Sequence, residues 1–198
     1  MINIGCSIPR SVTIAFSGGV DSVAVADFLR RNHAIKLAFV HHGTDASQSA
    51  LHTVEHYASL WGVPASVNYI KGAKQPRQSR EEYWRNERYR IFHSIGEPVI
   101  TCHHLDDCVE TWIWSSLHGC GKIIPSSNRN VIRPFLATHK SDFVRWCKHN
   151  DLSWAEDASN DDTTYIRNHI RHNMMPHVLR VNPGIHKTIK KKVMQQYD

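Results

Sequence analysis

The sequence predicts a doubly wound α/β domain, built on a mostly parallel sheet, with a small helical appendage at its C-terminal end. Three observations carry that expectation. Short apolar runs rich in β-formers alternate with amphipathic segments four times, at ~25–35-residue spacing, the rhythm of parallel β/α units with right-handed crossovers. Unusual polar clusters follow the strands directly: SGGVDS after the first, HHGTD after the second, HHLDD after the fourth. Ligands of such sheets bind beyond the carboxyl ends of the strands. After residue 118 the texture changes, with Gly119, Gly121, Pro125 and Pro134 punctuating a loop-rich stretch.

Each element has a local reason. Val12–Phe16 is a short apolar β-forming run and predicts a buried strand. Ser17-Gly18-Gly19 is a turn, and apolar residues at 20, 23, 24, 25, 28 and 29 then fit one face of a helix to about Arg31. Leu37–Val40 predicts a second buried strand, and residues 48–61 a helix with Leu51, Val54, Ala58 and Trp61 on one face. Ala65–Ile70 reads as a third strand of weaker pattern, followed by a polar loop over 71–79. A charged helix over 80–95, a strand over Pro98–Cys102 and a helix over Leu105–Leu117 complete the alternation. Trp112 and Trp114 are expected to pack in the core. Helices are expected over 138–149, 164–180 and 185–196, the second ended near Asn182-Pro183-Gly184. This divides the chain into a sheet domain over 1–135 and a continuous helical appendage over 136–198, basic in its last part.

Composition excludes several classes. A chain of 198 residues with 41% hydrophobic and 21% charged residues can bury a sizeable core and is not bulk-disordered. No apolar run reaches about 18 residues, so no spanning helix is expected, and the N-terminus lacks the apolar stretch of a secretory signal. Five scattered cysteines with no C-x-x-C argue against a disulfide framework or zinc ribbon and for a reducing, cytoplasmic setting. The net charge is +6, and the whole excess lies in residues 163–198, which points to a polyanion partner such as nucleic acid.

The sharpest motif is Ser17-Gly18-Gly19-Val20-Asp21-Ser22. Glycines permit positive φ and close backbone approach to a phosphate, and the helix that starts near Val20 offers unpaired N–H groups. Ser17 and Ser22 add hydroxyls. Asp21 adds a carboxylate that would repel phosphate unless a Mg²⁺ or another cation lay between them. This segment resembles the pyrophosphate-binding loop of the N-type ATP pyrophosphatases, whose fold is that of the adenine nucleotide alpha hydrolases. Four further segments are similar to those of the tRNA(Ile)-lysidine synthetases within that superfamily. They are Val40-His41-His42-Gly43; Glu81-x-x-x-Arg85-x-x-Arg88-Tyr89; His103-His104-Leu105-Asp106-Asp107-x-x-Glu110-Thr111; and Trp154-x-Glu156-Asp157-x-Ser159-Asn160-x-Asp162-x-x-Tyr165-x-Arg167-Asn168-x-x-Arg171. Ile132-Arg133-Pro134 matches a shorter element, and the resemblance spans roughly residues 10–183.

The resemblance implies an ATP-dependent ligase that joins free L-lysine to C2 of a wobble cytidine in tRNA(Ile), through an adenylated tRNA, with release of pyrophosphate and AMP. It implies ATP and Mg²⁺ as cofactors and Asp21 and Asp107 as Mg²⁺ partners. The expected nucleotide contacts are Ser17, Gly18, Gly19, Val20, Asp21, Ser22, His41 and His103. Asp21, Arg85, Asp106, Asp107 and Glu110 are the expected catalytic residues. Asp106 and Glu110, four apart, share a helix face. The acidic cluster can hold a metal, bind the lysine ammonium or take its proton. Arg88, Arg133, Arg167, Asn168 and Arg171 are expected to meet RNA. Two His pairs pose the question of zinc, but adjacent histidines leave a strand on opposite sides, and polar contacts to nucleotide or substrate are the expectation. The chain departs from the family at Cys108, where a Gln is usual, and over 118–125. It is expected to be a short version lacking the C-terminal domains, with a homodimer or partner protein in their place. The competing readings are another tRNA-modifying member, such as a thiolase, or a non-catalytic RNA- or nucleotide-binding module.

Overall fold

The computed structural model describes residues 1–156 and 162–197. Asp157, Ser159 and Asn160 of the Trp154–Arg171 motif lie outside the described residues. Strands β1 (Ser11–Ala15), β2 (Ala34–His41), β3 (Ala65–Tyr69) and β4 (Val99–Ile100) alternate with helices α1 (Val20–Arg30), α2 (Asp45–Trp61), α3 (Arg80–Ser94) and α4 (Leu105–Leu117). The expected alternation is present, with ends displaced by one to three residues at most of them. A hairpin, β5 (Ser127–Asn128) and β6 (Val131–Ile132), extends the sheet. The strand order is β3-β2-β1-β4-β6-β5, parallel throughout except for the β5–β6 pair. The hairpin falls in the stretch read as loops, because strands of two residues carry no period to detect.

Alternate sides of each strand feed different layers. Val12, Ile14 and Phe16 face α1 and α2, while Val40, Val99 and Val131 pack with Ile91 and Phe92 of α3 on the opposite face. Helix α5 (Lys140–His149) joins the first layer through Phe143 and Cys147. Helix α8 (Ile185–Met194) lays Ile185, Ile189 and Val193 against Leu105, Cys108 and Val109 of α4. Among the described residues no helix is long and apolar enough to cross a membrane.

Two expectations need correction. The single helix over 164–180 is instead α6 (Ile166–His169), a π-helical turn over Ile170–Met174 and α7 (Met175–Val181). Pro176 stands at the start of α7, and its missing N–H and bulky ring break the regular ladder just before it. Trp114 is not in the core: it is 46% exposed and stacks on His118 with ring centroids 4.6 Å apart. The inward face of α4 is set by Leu105, Val109 and Ile113, and Trp112 packs at its edge.

The join between α1 and α5 depends on Asp27, whose side chain is 1% exposed. Its Oδ1 accepts from Arg30, Nε at 2.9 Å and a terminal nitrogen at 2.6 Å. Its Oδ2 accepts from Arg31 and from Trp146 Nε1, each at 2.9 Å. Removing the carboxylate leaves the Trp146 N–H without a partner, whereas the half-exposed arginines regain water. Asp27→Ala is expected to cost about 2 kcal/mol in a urea titration, and Asp27→Asn distinctly less, because its amide oxygen can still accept from Trp146. Equal losses for both would show that the indole bond contributes nothing.

Candidate active site

Strand order reverses between β1 and β4, so the chain leaves these neighbours toward different sides and a crevice opens at their carboxyl ends. The loop after β1 carries the SGGVDS segment, and the loop after β4 carries HHLDD. Between them lies a cleft of about 290 Å³ whose polar lining includes Ser17, Asp21, Ser22, His103 and Asp107, with Arg85, Arg88 and Arg167.

The first loop is held in shape by its own hydroxyls. Ser22 Oγ accepts from the Ser17 amide at 3.2 Å and donates to the Gly19 carbonyl at 2.9 Å. Gly18 has φ +81°, and a side chain there would meet the Ala50 carbonyl oxygen at 3.2 Å, so glycine is required twice over. The Gly18 carbonyl accepts from the Ala155 amide at 2.9 Å, so the backbone beside Trp154 straps the loop from outside. No side chain caps α1 at Gly19, which leaves first-turn N–H groups available to an anion.

His104 joins the two loops. It caps α4 in a reciprocal box with Asp107: the His104 amide donates to Asp107 Oδ2 at 3.0 Å, and the Asp107 amide approaches His104 Nδ1 at 3.3 Å. Its Nε2 stands 3.6 Å from both Asp21 Oδ2 and Asp107 Oδ2. In the neutral ring Nδ1 accepts from Asp107 and the proton on Nε2 faces the two carboxylates; in the charged ring Nδ1 turns donor toward Asp106 Oδ2, also 3.6 Å away. Burial disfavours the charge, but Asp107, Asp21 and Asp106 outweigh it and hold the pKa up at about 9. Burial likewise works against ionised Asp107, yet His104 and Arg167 keep its carboxyl well below the usual range. At His103 burial outweighs the opposing pull of Asp107, with Arg167, Arg133 and Arg85 adding to it, and pushes the pKa down to about 3, so it is neutral. Asp21 Oδ1 is buried and has no hydrogen-bond partner among the described residues.

The opposite wall is basic. Arg85 lies over the Tyr89 ring at 5.2 Å. Arg88 makes no hydrogen bond or ion pair among the described residues, and burial together with Arg85 presses its pKa down, an environment that favours an anionic ligand. Arg167 lies 3.4 Å from Asp107 Oδ1 and donates through Nε to Glu110 Oε2 at 3.2 Å.

Several expected site residues are placed elsewhere. Asp106 does not line the cleft: its Oδ2 accepts from the Lys140 amide at 2.9 Å and its Oδ1 faces His186. Residues 106 and 110 therefore do not act together, and 107 shares Arg167 and Arg171 with 110 instead. Glu110 is 3% exposed, does not line the cleft, and accepts from Arg167 and Arg171 on both its oxygens. Arg171 thus points at Glu110. Arg133 is fully walled in, donating to the Pro125 carbonyl at 2.7 Å and to Tyr89 Oη at 2.8 Å, so its role is internal. Asn168 is buried and donates to the Asp162 carbonyl at 2.9 Å. His41 turns into its own loop, where Nδ1 accepts from the Gly43 amide at 3.0 Å. Alternation along β2 puts His42 in the cleft, beside Trp84. The His pairs are expected from sequence to make polar contacts to nucleotide or substrate, and of the first pair it is His42 that reaches the cleft; sequence reasoning missed the joining role of His104. The signal for that role was present, since a polar residue three before Asp107 is a capping-box position.

The PP-loop domain family matches residues 4–178. A tRNA(Ile)-lysidine synthase of Nitrosomonas europaea is 29% identical over 204 residues, covering 90% of this chain and 43% of that protein. One of Escherichia coli O157:H7 is 31% identical over 185 residues, covering 84% and 43%. The chain thus spans less than half the length of these curated relatives. Among solved structures, the NH3-dependent NAD synthetase of Campylobacter jejuni superposes with a TM-score of 0.54 at 15% identity, over 96% of this chain and 86% of that one. The NMN synthetase of Francisella tularensis gives 0.54 at 12% identity, over 96% and 87%, and both likenesses concern the fold.

His104→Ala removes the group that separates Asp21 from Asp107 and leaves their charges facing each other in a buried place. It is expected to destabilise the protein by about 3 kcal/mol and to fray the first turn of α4. Denaturant midpoints and amide exchange of residues 105–108 read this; unchanged protection there would contradict the joining role.

Proposed function

The chain belongs to the PP-loop domain family, and on that premise we propose that it uses ATP to activate a tRNA base for ligation to lysine. The observation that carries this reading is the polarity of one cleft, with an uncapped helix start and two carboxylates on one wall and three arginines on the other. Such a wall of N–H groups suits the pyrophosphate of ATP, and the arginines suit both phosphate and RNA backbone. The curated relatives named tRNA(Ile)-lysidine synthase support the choice of substrate.

The cytosine C2 oxygen attacks the α-phosphate of ATP, and pyrophosphate leaves. Arg85, Arg88 and Arg167 neutralise charge as the phosphates separate, and the loop hydroxyls and amides of Ser17 to Ser22 hold the leaving group. The unpartnered Oδ1 of Asp21 fits a cation, and Asp21 and Asp107 would hold Mg²⁺, which supplies further neutralisation of the pyrophosphate. The lysine ε-amine then attacks C2 and AMP leaves. Asp107 is the carboxylate placed to meet the amine, since it lines the cleft and Glu110 does not. Glu110 is a positioning residue that holds Arg167 on the cleft. A sulfur-transfer reading is disfavoured at Cys102, the cysteine of the cleft lining, because burial pushes its thiol well above the ordinary range and suppresses the thiolate.

Pyrophosphate release from ATP with Mg²⁺ is expected to require tRNA, and labelled lysine is expected to become covalently attached to it. Asp21→Asn should lower release by about 100-fold or more with the fold intact. Arg88→Ala should lower it by a similar factor, whereas Arg133→Ala should act through stability, read by thermal unfolding. Release that proceeds without tRNA, or tRNA adenylation with no lysine uptake, would overturn the corresponding half of the reading.

A further inference from the structure

Outside the cleft, three potential ligands from distant parts of the chain converge. Asp106 comes from the first turn of α4, His139 precedes α5, and His186 lies in the first turn of α8. One carboxylate oxygen and one ring nitrogen from each histidine lie within 4.8 Å of one another. Asp106 Oδ1 is 3.4 Å from His186 Nε2, and the two rings are tilted by 39° with centroids 5.4 Å apart. None of the three lines the cleft.

We propose that Asp106, His139 and His186 bind one divalent cation of the zinc class, which clasps α8 and the start of α5 to α4. The donor set is two imidazoles and one carboxylate, which suits zinc and its borderline neighbours and not Mg²⁺, an ion that prefers oxygen. The carboxylate is already oriented as in a metal site: the Lys140 amide occupies Oδ2 and leaves Oδ1 toward the histidines. His139 precedes α5 without capping it, and its ring makes no hydrogen bond among the described residues. All three are partly exposed, so an ion can enter from solvent and a water can complete its shell. The beginnings of α4, α5 and α8 all oppose a cation, and at a surface each weakens binding by about fivefold or less, a cost the three ligands must outweigh. A plain Asp106–His186 ion pair is the alternative, and it has no use for His139.

The consequence is a conditional lock on the C-terminal helix. Asp106 also faces His104, which joins the two loops of the cleft, so the cation sits one side chain away from that joint. The proposal stands independently of the reaction assigned to the cleft.

The test is titration of the metal-free full chain with Co²⁺ and Zn²⁺, with no substrate present. One Co²⁺ per chain with visible ligand-field absorption is expected, displaced by Zn²⁺, and Zn²⁺ should raise the melting temperature. His139→Ala and His186→Gln should each weaken binding by about tenfold or more, and together abolish both the absorption and the thermal shift. The thirteen remaining histidines of the double variant serve as the control for adventitious binding. If the double variant fails to fold, the single His186→Gln protein decides. No bound Co²⁺ in the parent chain, or binding that survives the substitutions, overturns the proposal.

Discussion

The contact on which the site depends is His104 between Asp21 and Asp107. Strands β1 and β4 flank the point where the strand order reverses, so their loops leave toward opposite faces of the sheet, and like charges at the two loop ends would push them further apart. A buried imidazole within 3.6 Å of both carboxylates reverses that tendency. The same residue caps α4 through its amide, which donates to Asp107 Oδ2, so the direction of the helix and the spacing of the acids are settled at one position. Asp21 still keeps one oxygen without a partner, which is what a charged ligand or a cation needs.

The basic wall is built on a second ionic joint. Glu110 is buried and meets Arg167 and Arg171 together, four residues apart on the segment where α6 passes into its π-helical turn. Burying one carboxylate between two guanidinium groups holds the C-terminal segment on α4 while leaving net positive charge in reach of the cleft. Pro176, just downstream, loosens the ladder at this place, so the widened turn lies where Arg171 must reach inward.

Residues 136–156 and 162–197 are thus not merely attached. Helix α5 is tied to α1 through Asp27, the strap at Ala155 reaches the Gly18 carbonyl, and α8 covers α4 with apolar side chains. Each tie ends within a few residues of the cleft. A chain that spans under half the length of the lysidine synthases it resembles therefore still holds a closed set of supports around this crevice.

The architecture was legible in the sequence because burial leaves a period. Val12–Phe16 and Leu37–Val40, short β-forming apolar runs, read as buried strands, and SGGVDS as a turn into a helix. Motif identity was legible for the same reason: residues 17–22 and 103–111 are contiguous, so their chemistry is visible in one dimension. Direction was not. Asp106 and Asp107 are neighbours in sequence, yet only 107 faces the cleft, because the capping box with His104 sets the turn at which α4 begins. The same applies to His41 and His42, separated by the pleat of β2. Arg133 carries a charge that sequence reads as an RNA contact, and only the packing of Tyr89 and Pro125 around it shows that it is internal. The meeting of Asp106, His139 and His186 has no local signature at all. It exists because α8 folds back on α4 while α5 begins beside it, and such proximity is decided by the packing of whole helices.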